Sequence, residues 1–246
     1  MATQMANAHV SPQPMPRGPV VMYQNWRRLL FLHWARDAAE VQATLPDGLI
    51  VDTWDGRAWL GIVPFRMTGV RPRFLPAMPW LSDFPELNVR TYVRDGQGRR
   101  GVWFYSLDCA QPVAVWAARV LFGLPYFHAE MRERVGDRIS YDCRRKESDG
   151  NAHFEYRGAG NPERAGEGTI EQFLIERYRL FAVRRGCLLT GEVWHEPYPL
   201  QRADVTEWSV APLRQAGFNM GDAAPDHAIF SPGVDVRIFG IESLML

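Results

Sequence analysis

Two segments of the chain carry side chains that could do chemistry. Glu86 stands between Pro85 and a strand that should be buried, and a low dielectric there would raise its pKa toward values suited to proton transfer. The competing interpretation is an exposed acid at a strand end. Trp194, His195 and Glu196 join an aromatic ring, an imidazole and a carboxylate, which can bind a polar ligand or transfer protons. A strand-end cluster that satisfies its own hydrogen bonds fits this triplet equally well.

The standard signatures of catalytic and cofactor-binding families are missing. The sequence contains no GxxxxGK[ST], GxGxxG, GxSxG or HExxH motif. Its six histidines occur singly, without the i, i+2 or i, i+4 spacing that places two metal ligands on one face. We therefore predict no metal site and no cofactor. Lys146 is the only lysine, so a mechanism that needs a buried amine has one candidate.

Composition limits the class of partner and the compartment. The 28 basic and 28 acidic side chains cancel, so no global field attracts nucleic acid. No run approaches the roughly 18 apolar residues of a membrane span, so we expect no membrane partner. Cys109, Cys143 and Cys187 are too widely spaced for a disulfide framework or a paired zinc motif. These observations favour a cytoplasmic protein.

Strand patterns dominate the elements that must position these groups. Residues 28–35 are apolar on both faces, as in a strand buried on both sides. Residues 50–53 and 57–67 are typical of a hairpin around the turn at 55–56. Residues 87–93 alternate in polarity and return through the turn at 95–98 to a partner strand at 101–109. Within the first of these two strands, Leu87, Val89, Thr91 and Val93 alternate with Asn88, Arg90 and Tyr92.

Three helices and two irregular segments complete the prediction. Capping patterns and apolar spacing indicate helices at residues 37–45, 112–122 and 170–182. The proline-rich stretch at 71–85 is typical of a long ordered loop, and the glycine-rich stretch at 147–168 of a surface excursion. Further strands are expected near 187–195 and 234–241. The fold class is α+β, mainly antiparallel β, with one domain over residues 20–246 after a flexible arm at 1–19.

Several motifs carry a family resemblance. They are FLHW at 31–34, DGRAWLGIVPFRMTGVRPR at 55–73, SDFPELNVRTYV at 82–93, GLPYFHAEM at 123–131 and GEVWHEPYPLQ at 191–201. In this order they resemble the YqjF-like family of uncharacterised proteins (domain of unknown function 2071), over about residues 20–245. That family has no assigned reaction, so the resemblance implies an architecture and little mechanism.

That family is similar, more distantly, to acetoacetate decarboxylase: PRGP at 16–19 and LPDGL at 45–49 stand where the decarboxylases have similar segments. This resemblance implies a β-barrel around a ligand cavity. Arg27 and Glu86 fall on pocket residues of the decarboxylases. Their second pocket glutamate falls on Gly61, and their adjacent lysine pair falls on Tyr126 and Phe127. A Schiff base needs a neutral amine, so we expect no imine between this chain and an oxo acid.

The resemblance leads to a predicted site. We expect Arg27, Glu86, Tyr126 and His128 to converge on one cavity, with His128 following Tyr126 by strand alternation. The catalytic candidates are Glu86, Tyr126 and His128. The expected ligand contacts are these three residues together with Arg27 and His195. Arg27 could hold a carboxylate in a bidentate contact. The competing interpretation is a Tyr126 side chain that fills a defunct cavity.

Three functions remain open at this point. The preferred one is a small-molecule-binding barrel protein that acts on a carboxylate- or carbonyl-bearing ligand, as binder or enzyme. The second is a decarboxylase or other lyase with a non-lysine mechanism. The third is a structural or assembly protein, a homo-oligomer included, that buries Trp80, Phe84 and the proline-rich loop against another subunit.

Overall fold

The computed structural model describes residues 9–146 and 150–244, and strands make up most of it. The elements follow in the order β1 (Val20–Arg36), α1 (Ala38–Gln42), β2 (Leu49–Val51), β3 (Ala58–Pro72), β4 (Phe84–Asp95), β5 (Arg100–Cys109), α2 (Pro112–Phe122), β6 (Tyr126–Val135), β7 (Ile139–Arg145), β8 (Asn151–Glu163), α3 (Ile170–Ile175), β9 (Arg179–Arg184), β10 (Cys187–Trp194), β11 (Leu200–Glu207), α4 (Ala211–Gln215) and β12 (His227–Ser243). Neighbouring strands are antiparallel except where β5 pairs with β6 and with β9. The predicted α+β class with mainly antiparallel strands is confirmed.

The strands close into two barrel-like rings that share a wall. Strands β12, β1, β3, β4 and β5 form this shared wall. Strands β9 and β10 close it on one side into what we call the cavity ring. Strands β6, β7, β8 and β11 close it on the other side into the filled ring.

A strand in the shared wall has no solvent-facing side, which explains the apolar run at residues 28–35. Leu30 and Leu32 pack into the core of the filled ring. Leu29 and Phe31 point the other way and pack in the cavity ring. Successive side chains of a strand alternate between its faces, so two buried faces require apolar residues at every position.

Two of the three predicted helices form where expected, α2 over its full predicted length and α1 only over Ala38–Gln42 of the predicted 37–45. Asp37 caps α1 by accepting hydrogen bonds from Ala39 N and Glu40 N, as its position before the helix predicts. The α2 helix ends at Gly123, which has a φ of 66°. The helix predicted at 170–182 is wrong in its second half, because α3 ends at Ile175 and the chain continues into β9.

Two strand predictions also need correction. β2 does not form a hairpin with β3; it pairs with β4, and between β2 and β3 the described residues form only the isolated bridge Trp54–Arg57. The predicted surface excursion at 147–168 contains strand β8, whose inward side chains Phe154 and Tyr156 are fully buried. Residues 147–149 of that excursion lie outside the described part of the chain.

The predicted arm and loop both contact the folded body. From residue 9 the arm is attached: Val10 is buried and donates to Ala165 O, and Trp194 donates to Gln13 O. Phe84 is buried at the start of β4, whereas Trp80 is 83% exposed and Phe74, Leu75 and Met78 of the preceding loop are also exposed, so the loop but not Phe84 remains available to a partner. Among the described residues, no helix has both the length and the apolar character needed to cross a membrane.

Candidate functional site

The cavity ring encloses a cavity of about 310 Å³. Most of its lining side chains are apolar and come from the shared wall, from α2 and from β9 and β10. They include Trp26, Leu29, Phe31, Val63, Phe65, Phe104, Leu107, Leu124, Tyr198 and Ile238. A volume near 300 Å³ with an apolar lining and a few polar groups is typical of a small-molecule site.

Glu86 and Tyr126 meet in the wall of this cavity. Both side chains are buried, and the Tyr126 hydroxyl donates to Glu86 Oε2 over 3.0 Å. Burial raises the pKa of Glu86 to about 8, the nearby Asp108 adds to the shift, and the Tyr126 hydrogen bond opposes it. Burial also raises the pKa of Tyr126. At neutral pH the pair is therefore a carboxylic acid and a phenol. Because the single Tyr126 O–H is donated to Glu86 Oε2, the O–H of the pair that remains uncommitted is that of Glu86.

Strand β4 carries a polar stripe along the cavity. Glu86, Asn88 and Arg90 occupy alternate positions, and all three line the cavity. Leu87 and Val89, on the opposite face, pack in the filled ring. The Oδ1 atom of Asn88 and the Nε atom of Arg90 are buried without a hydrogen-bond partner among the described residues. Such unpaired buried groups are costly unless a bound molecule satisfies them.

Sequence reasoning did not select Asn88 or Arg90. The signal was present as the alternation of polar and apolar residues in 87–93, but alternation alone does not tell a solvent-facing stripe from one that faces a cavity. Only the closure of the cavity ring distinguishes them.

Arg90 is held at the end of the cavity by aromatic rings and a backbone carbonyl. Its guanidinium lies 5.3 Å from the ring centre of Phe31 and 5.5 Å from that of Tyr92. Its Nη2 donates to Leu174 O over 3.3 Å. Among the residues that the structure describes, no carboxylate oxygen lies within 4.0 Å of a guanidinium nitrogen of Arg90, so Arg90 has no ion-pair partner there.

A second buried arginine lies beside the first. The guanidinium of Arg177 lies 5.2 Å from the ring centre of Tyr92, the ring that Arg90 also contacts. Arg177 forms an ion pair with Asp52 over 2.9 Å. The same carboxylate also forms ion pairs with Arg94 at 3.2 Å and with Arg100 at 3.3 Å. Burial lowers the pKa of Arg177. This end of the cavity therefore holds more buried positive charge than Asp52 compensates.

Two of the four residues that were expected to converge lie outside the cavity lining. Arg27 pairs with Asp235, and its Nη1 donates to Val234 O, on the neighbouring strand β12. His128 is half-buried on β6 beyond Tyr126, at the position that pairs with Cys109 of β5. The expected convergence of four residues thus reduces to Glu86 and Tyr126. Strand alternation does put residues 126 and 128 on one side, but the cavity ends before position 128.

His195 is fully buried behind the cavity wall. Its ring stacks on Tyr178 and contacts Tyr198, each with ring centres 4.5 Å apart. The Nδ1 atom bonds to Glu196 O over 2.8 Å, and Nε2 has no partner in the described part of the chain. Burial lowers the pKa of His195 to about 4, so the imidazole is neutral at physiological pH. The cavity itself is lined by Tyr198 rather than by His195.

A polar outer pocket of about 470 Å³ adjoins the cavity. It lies between the arm at residues 10–16, α3 and β10. Arg177, Arg179, Glu192 and Val193 line both spaces, so they separate the apolar cavity from the polar pocket. Arg179 and Glu192 form an ion pair across this boundary.

A possible metal-ligand group lies on the outer surface of the filled ring. Ligand atoms of His153, Glu155 and Glu207 lie within 4.8 Å of one another. The Nδ1 atom of His153 is hydrogen-bonded to Asp142 Oδ1 over 2.7 Å. Arg138 is 3.2 Å from Glu155 and already offsets its charge. The absence of a metal site stays a prediction, and this exposed group is remote from the cavity.

The chain is similar in sequence to a known protein family over most of its length. The sequence profile of a family described as an uncharacterised conserved protein, domain of unknown function 2071, matches residues 23–235. The uncharacterised protein YqjF of Bacillus subtilis (strain 168) is 39% identical over 214 residues, which cover 86% of this chain and 88% of that protein.

Solved structures with a similar fold include two kinds of enzyme. Acetoacetate decarboxylase from Legionella pneumophila superposes with a TM-score of 0.65 at 14% identity, over 96% of this chain and 92% of that one. The enduracididine biosynthesis enzyme MppR, complexed with pyruvate, gives a TM-score of 0.61 at 14% identity, over 95% of this chain and 93% of that one. At this identity the likeness concerns the fold alone.

Proposed function

The chain belongs to the family of uncharacterised conserved proteins known as domain of unknown function 2071, and on that premise we propose that it is a small-molecule-binding protein whose cavity takes an apolar, carbonyl-bearing ligand. One observation carries the proposal: Glu86 and Tyr126 are 3.0 Å apart and both face the cavity. The raised pKa of Glu86, about 8, keeps its carboxyl group protonated. A ligand carbonyl oxygen, which accepts two hydrogen bonds, would take the O–H of Glu86 and draw the Tyr126 O–H away from Glu86 Oε2.

The proposal includes no Schiff base. Lys146 is exposed at the end of β7 and is not among the cavity-lining residues. An acid at Glu86 with a pKa near neutrality also suits general acid or base catalysis on the bound carbonyl. That observation makes an enzyme acting through Glu86 the second candidate, at the same site and on the same class of ligand. We retain the expectation of a cytoplasmic location.

The carbonyl contact is tested with a neutral ketone and a hydrocarbon of matched length. We expect the wild-type protein to bind 2-nonanone more tightly than nonane in calorimetric titrations. Tyr126→Phe should weaken 2-nonanone roughly two- to tenfold, the contribution of one neutral hydrogen bond, and leave nonane unchanged.

Tyr105→Phe is the matched control. It removes a hydroxyl that bonds to Thr44 over 2.6 Å, away from the cavity lining, and should affect neither ligand. Equal losses for ketone and hydrocarbon in Tyr126→Phe would mean that Tyr126 acts only through packing, and the proposal would then be rejected.

A further inference from the structure

We infer that Arg90 is the binding site for a carboxylate at the end of the cavity opposite the Glu86–Tyr126 pair, so that the ligand is an unbranched medium-chain acid with its carbonyl group far from its carboxylate. The inference rests on the proposed function for the carbonyl end and adds the second end of the ligand. It assigns Arg90 the anion-binding role that the sequence predicted for Arg27.

The charges at this end of the cavity call for an anion. Arg90 is 8% exposed and Arg177 is 7% exposed, while Asp52 is the buried carboxylate that faces Arg177. Glu86 cannot supply a second negative charge, because its raised pKa keeps it protonated at neutral pH. A buried cation without a counterion is costly, and a ligand carboxylate beside Arg90 would remove that cost.

The other charged groups near this end are already engaged. Glu192 pairs with Arg179. Glu176 accepts from the Tyr178 hydroxyl at 2.5 Å and from Tyr198 N at 2.9 Å. Glu176 lines the outer pocket, and Glu192 lines the boundary between the outer pocket and the cavity.

The geometry of Arg90 fits a carboxylate. Its Nε atom is buried without a hydrogen-bond partner among the described residues, so its N–H is free to donate to a ligand. Arginine presents Nε–H and Nη–H as a fork that matches two carboxylate oxygens. Gly61 leaves room there, because a Cβ atom at that position would stand only 3.4 Å from Arg90 Cγ.

Strand geometry sets the length of the ligand. Glu86 and Arg90 are four residues apart on one extended strand, so their Cα atoms are about 13 Å apart. A short oxo acid such as acetoacetate, with carbonyl and carboxylate almost adjacent, cannot contact both. The cavity of about 310 Å³ holds roughly ten groups the size of a water molecule, which suits a chain of about eight to ten carbons.

The probes are 8-oxononanoate, with a keto group and a carboxylate at opposite ends, decanoate, with the carboxylate alone, and 2-nonanone, with the carbonyl alone. By calorimetric titration we expect 8-oxononanoate to bind most tightly, and 4-oxopentanoate, the short analogue, at least about tenfold more weakly. Arg90→Met should weaken both long carboxylates roughly ten- to hundredfold and leave 2-nonanone unchanged.

Two further variants keep the result interpretable. Arg90→Lys retains the charge without the fork and should lose only part of the carboxylate affinity. Arg202→Gln, at an exposed position on β11 away from the cavity, removes the same charge and should change nothing. The melting temperature of ligand-free Arg90→Met should equal or exceed that of the wild type, since a buried uncompensated cation is replaced by an apolar side chain.

The outcomes separate the two proposals. If Arg90→Met leaves decanoate affinity unchanged, or if the wild type binds none of the long carboxylates, the Arg90 site is wrong whatever the ketone does. If decanoate responds to Arg90→Met while 2-nonanone is insensitive to Tyr126→Phe, the carbonyl site fails and the carboxylate site stands. A marked fall in the melting temperature of Arg90→Met would assign Arg90 a structural role instead.

Discussion

At the scale of single residues, the decisive feature is a glutamate whose surroundings favour its protonated form. Glu86 is 1% exposed and its carboxyl group faces apolar walls, a tyrosine hydroxyl and the nearby Asp108. The Tyr126 hydroxyl, which donates to this carboxyl group, carries no positive charge that would favour its ionisation.

The pKa of Glu86 predicts how stability depends on pH. In the folded protein the pKa is about 8, above the ordinary value of 4.5, so from about pH 5 to pH 8 the folded state holds a proton that the unfolded chain has released. The contribution of Glu86 to the free energy of unfolding is complete below pH 4.5 and is lost as the pH rises through 8. The free energy of unfolding of the wild type, relative to Glu86→Gln, should fall by up to about 1.4 kcal/mol per pH unit in that window.

Urea denaturation between pH 5 and pH 9 measures this difference. Glu242→Gln, a change at an exposed position near the end of β12, is the control and should show a difference from wild type that does not vary with pH. A flat difference for Glu86→Gln as well would show that Glu86 is ionised in the folded protein at neutral pH.

At the scale of elements, closure of the cavity ring depends on one short parallel contact. Strands β5 and β9 pair only through Val102 with Leu180 and Trp103 with Phe181. The preceding residue is Gly101, where a Cβ atom would stand 2.7 Å from the backbone oxygen of Arg179. The glycine is required because another backbone approaches it closely.

Gly101→Ala should therefore strain the closure of the ring. We expect a loss of about 1–3 kcal/mol in the free energy of unfolding, the range for overpacked sites, together with weaker ligand binding. Gly96→Ala in the adjacent turn is the matched control, because a Cβ atom there meets nothing within 4 Å. Stability measured by denaturant titration that is equal in the two variants would contradict the role assigned to the β5–β9 contact.

The elements that sequence patterns predict well are those with a local cause. Asp37 caps α1 and Gly123 ends α2 through contacts within a few residues. Strand β8 was missed because its glycines suggested a loop. At Gly158 the reason for glycine is distant in sequence: a Cβ atom would lie 2.4 Å from the ring of Phe230. Long-range packing of this kind leaves no local signature.

The same distinction applies to the candidate site. Glu86 and Tyr126 were predicted from the positions of matching motifs, and the structure brings them together. Arg90 was not, because its importance depends on ring closure and on the scarcity of carboxylates around it. The second half of the predicted helix at 170–182 failed because the spacing of Tyr178 and Phe181 fits a helix as well as it fits a turn followed by β9.

At the scale of the whole molecule, the shared wall couples the two rings. We expect the described body to unfold as one unit, because neither ring keeps its wall if the other opens. Phe154→Ala, a truncation in the filled ring at a fully buried position, should cost about 3–5 kcal/mol. Hydrogen exchange of β9 and β10, in the cavity ring, should then accelerate as much as that of β7 and β8.

Val135→Ala is the control for this experiment, since Val135 lies on β6 and is 62% exposed, and it should leave exchange in both rings almost unchanged. Faster exchange confined to the strands of the filled ring in Phe154→Ala would show two units that open independently.

The two-faced strand β4 has a consequence for natural variation in this family. Its residues 87 and 89 face the filled ring and its residues 86, 88 and 90 face the cavity. Inherited changes at the first set compromise the fold itself, so selection should keep them apolar in every descendant. Under the proposed function, changes at the second set would leave the core of the filled ring intact and alter which ligand fits the cavity. Sequence variation at residues 86, 88 and 90 would then follow the ligand, whereas residues 87 and 89 would stay apolar.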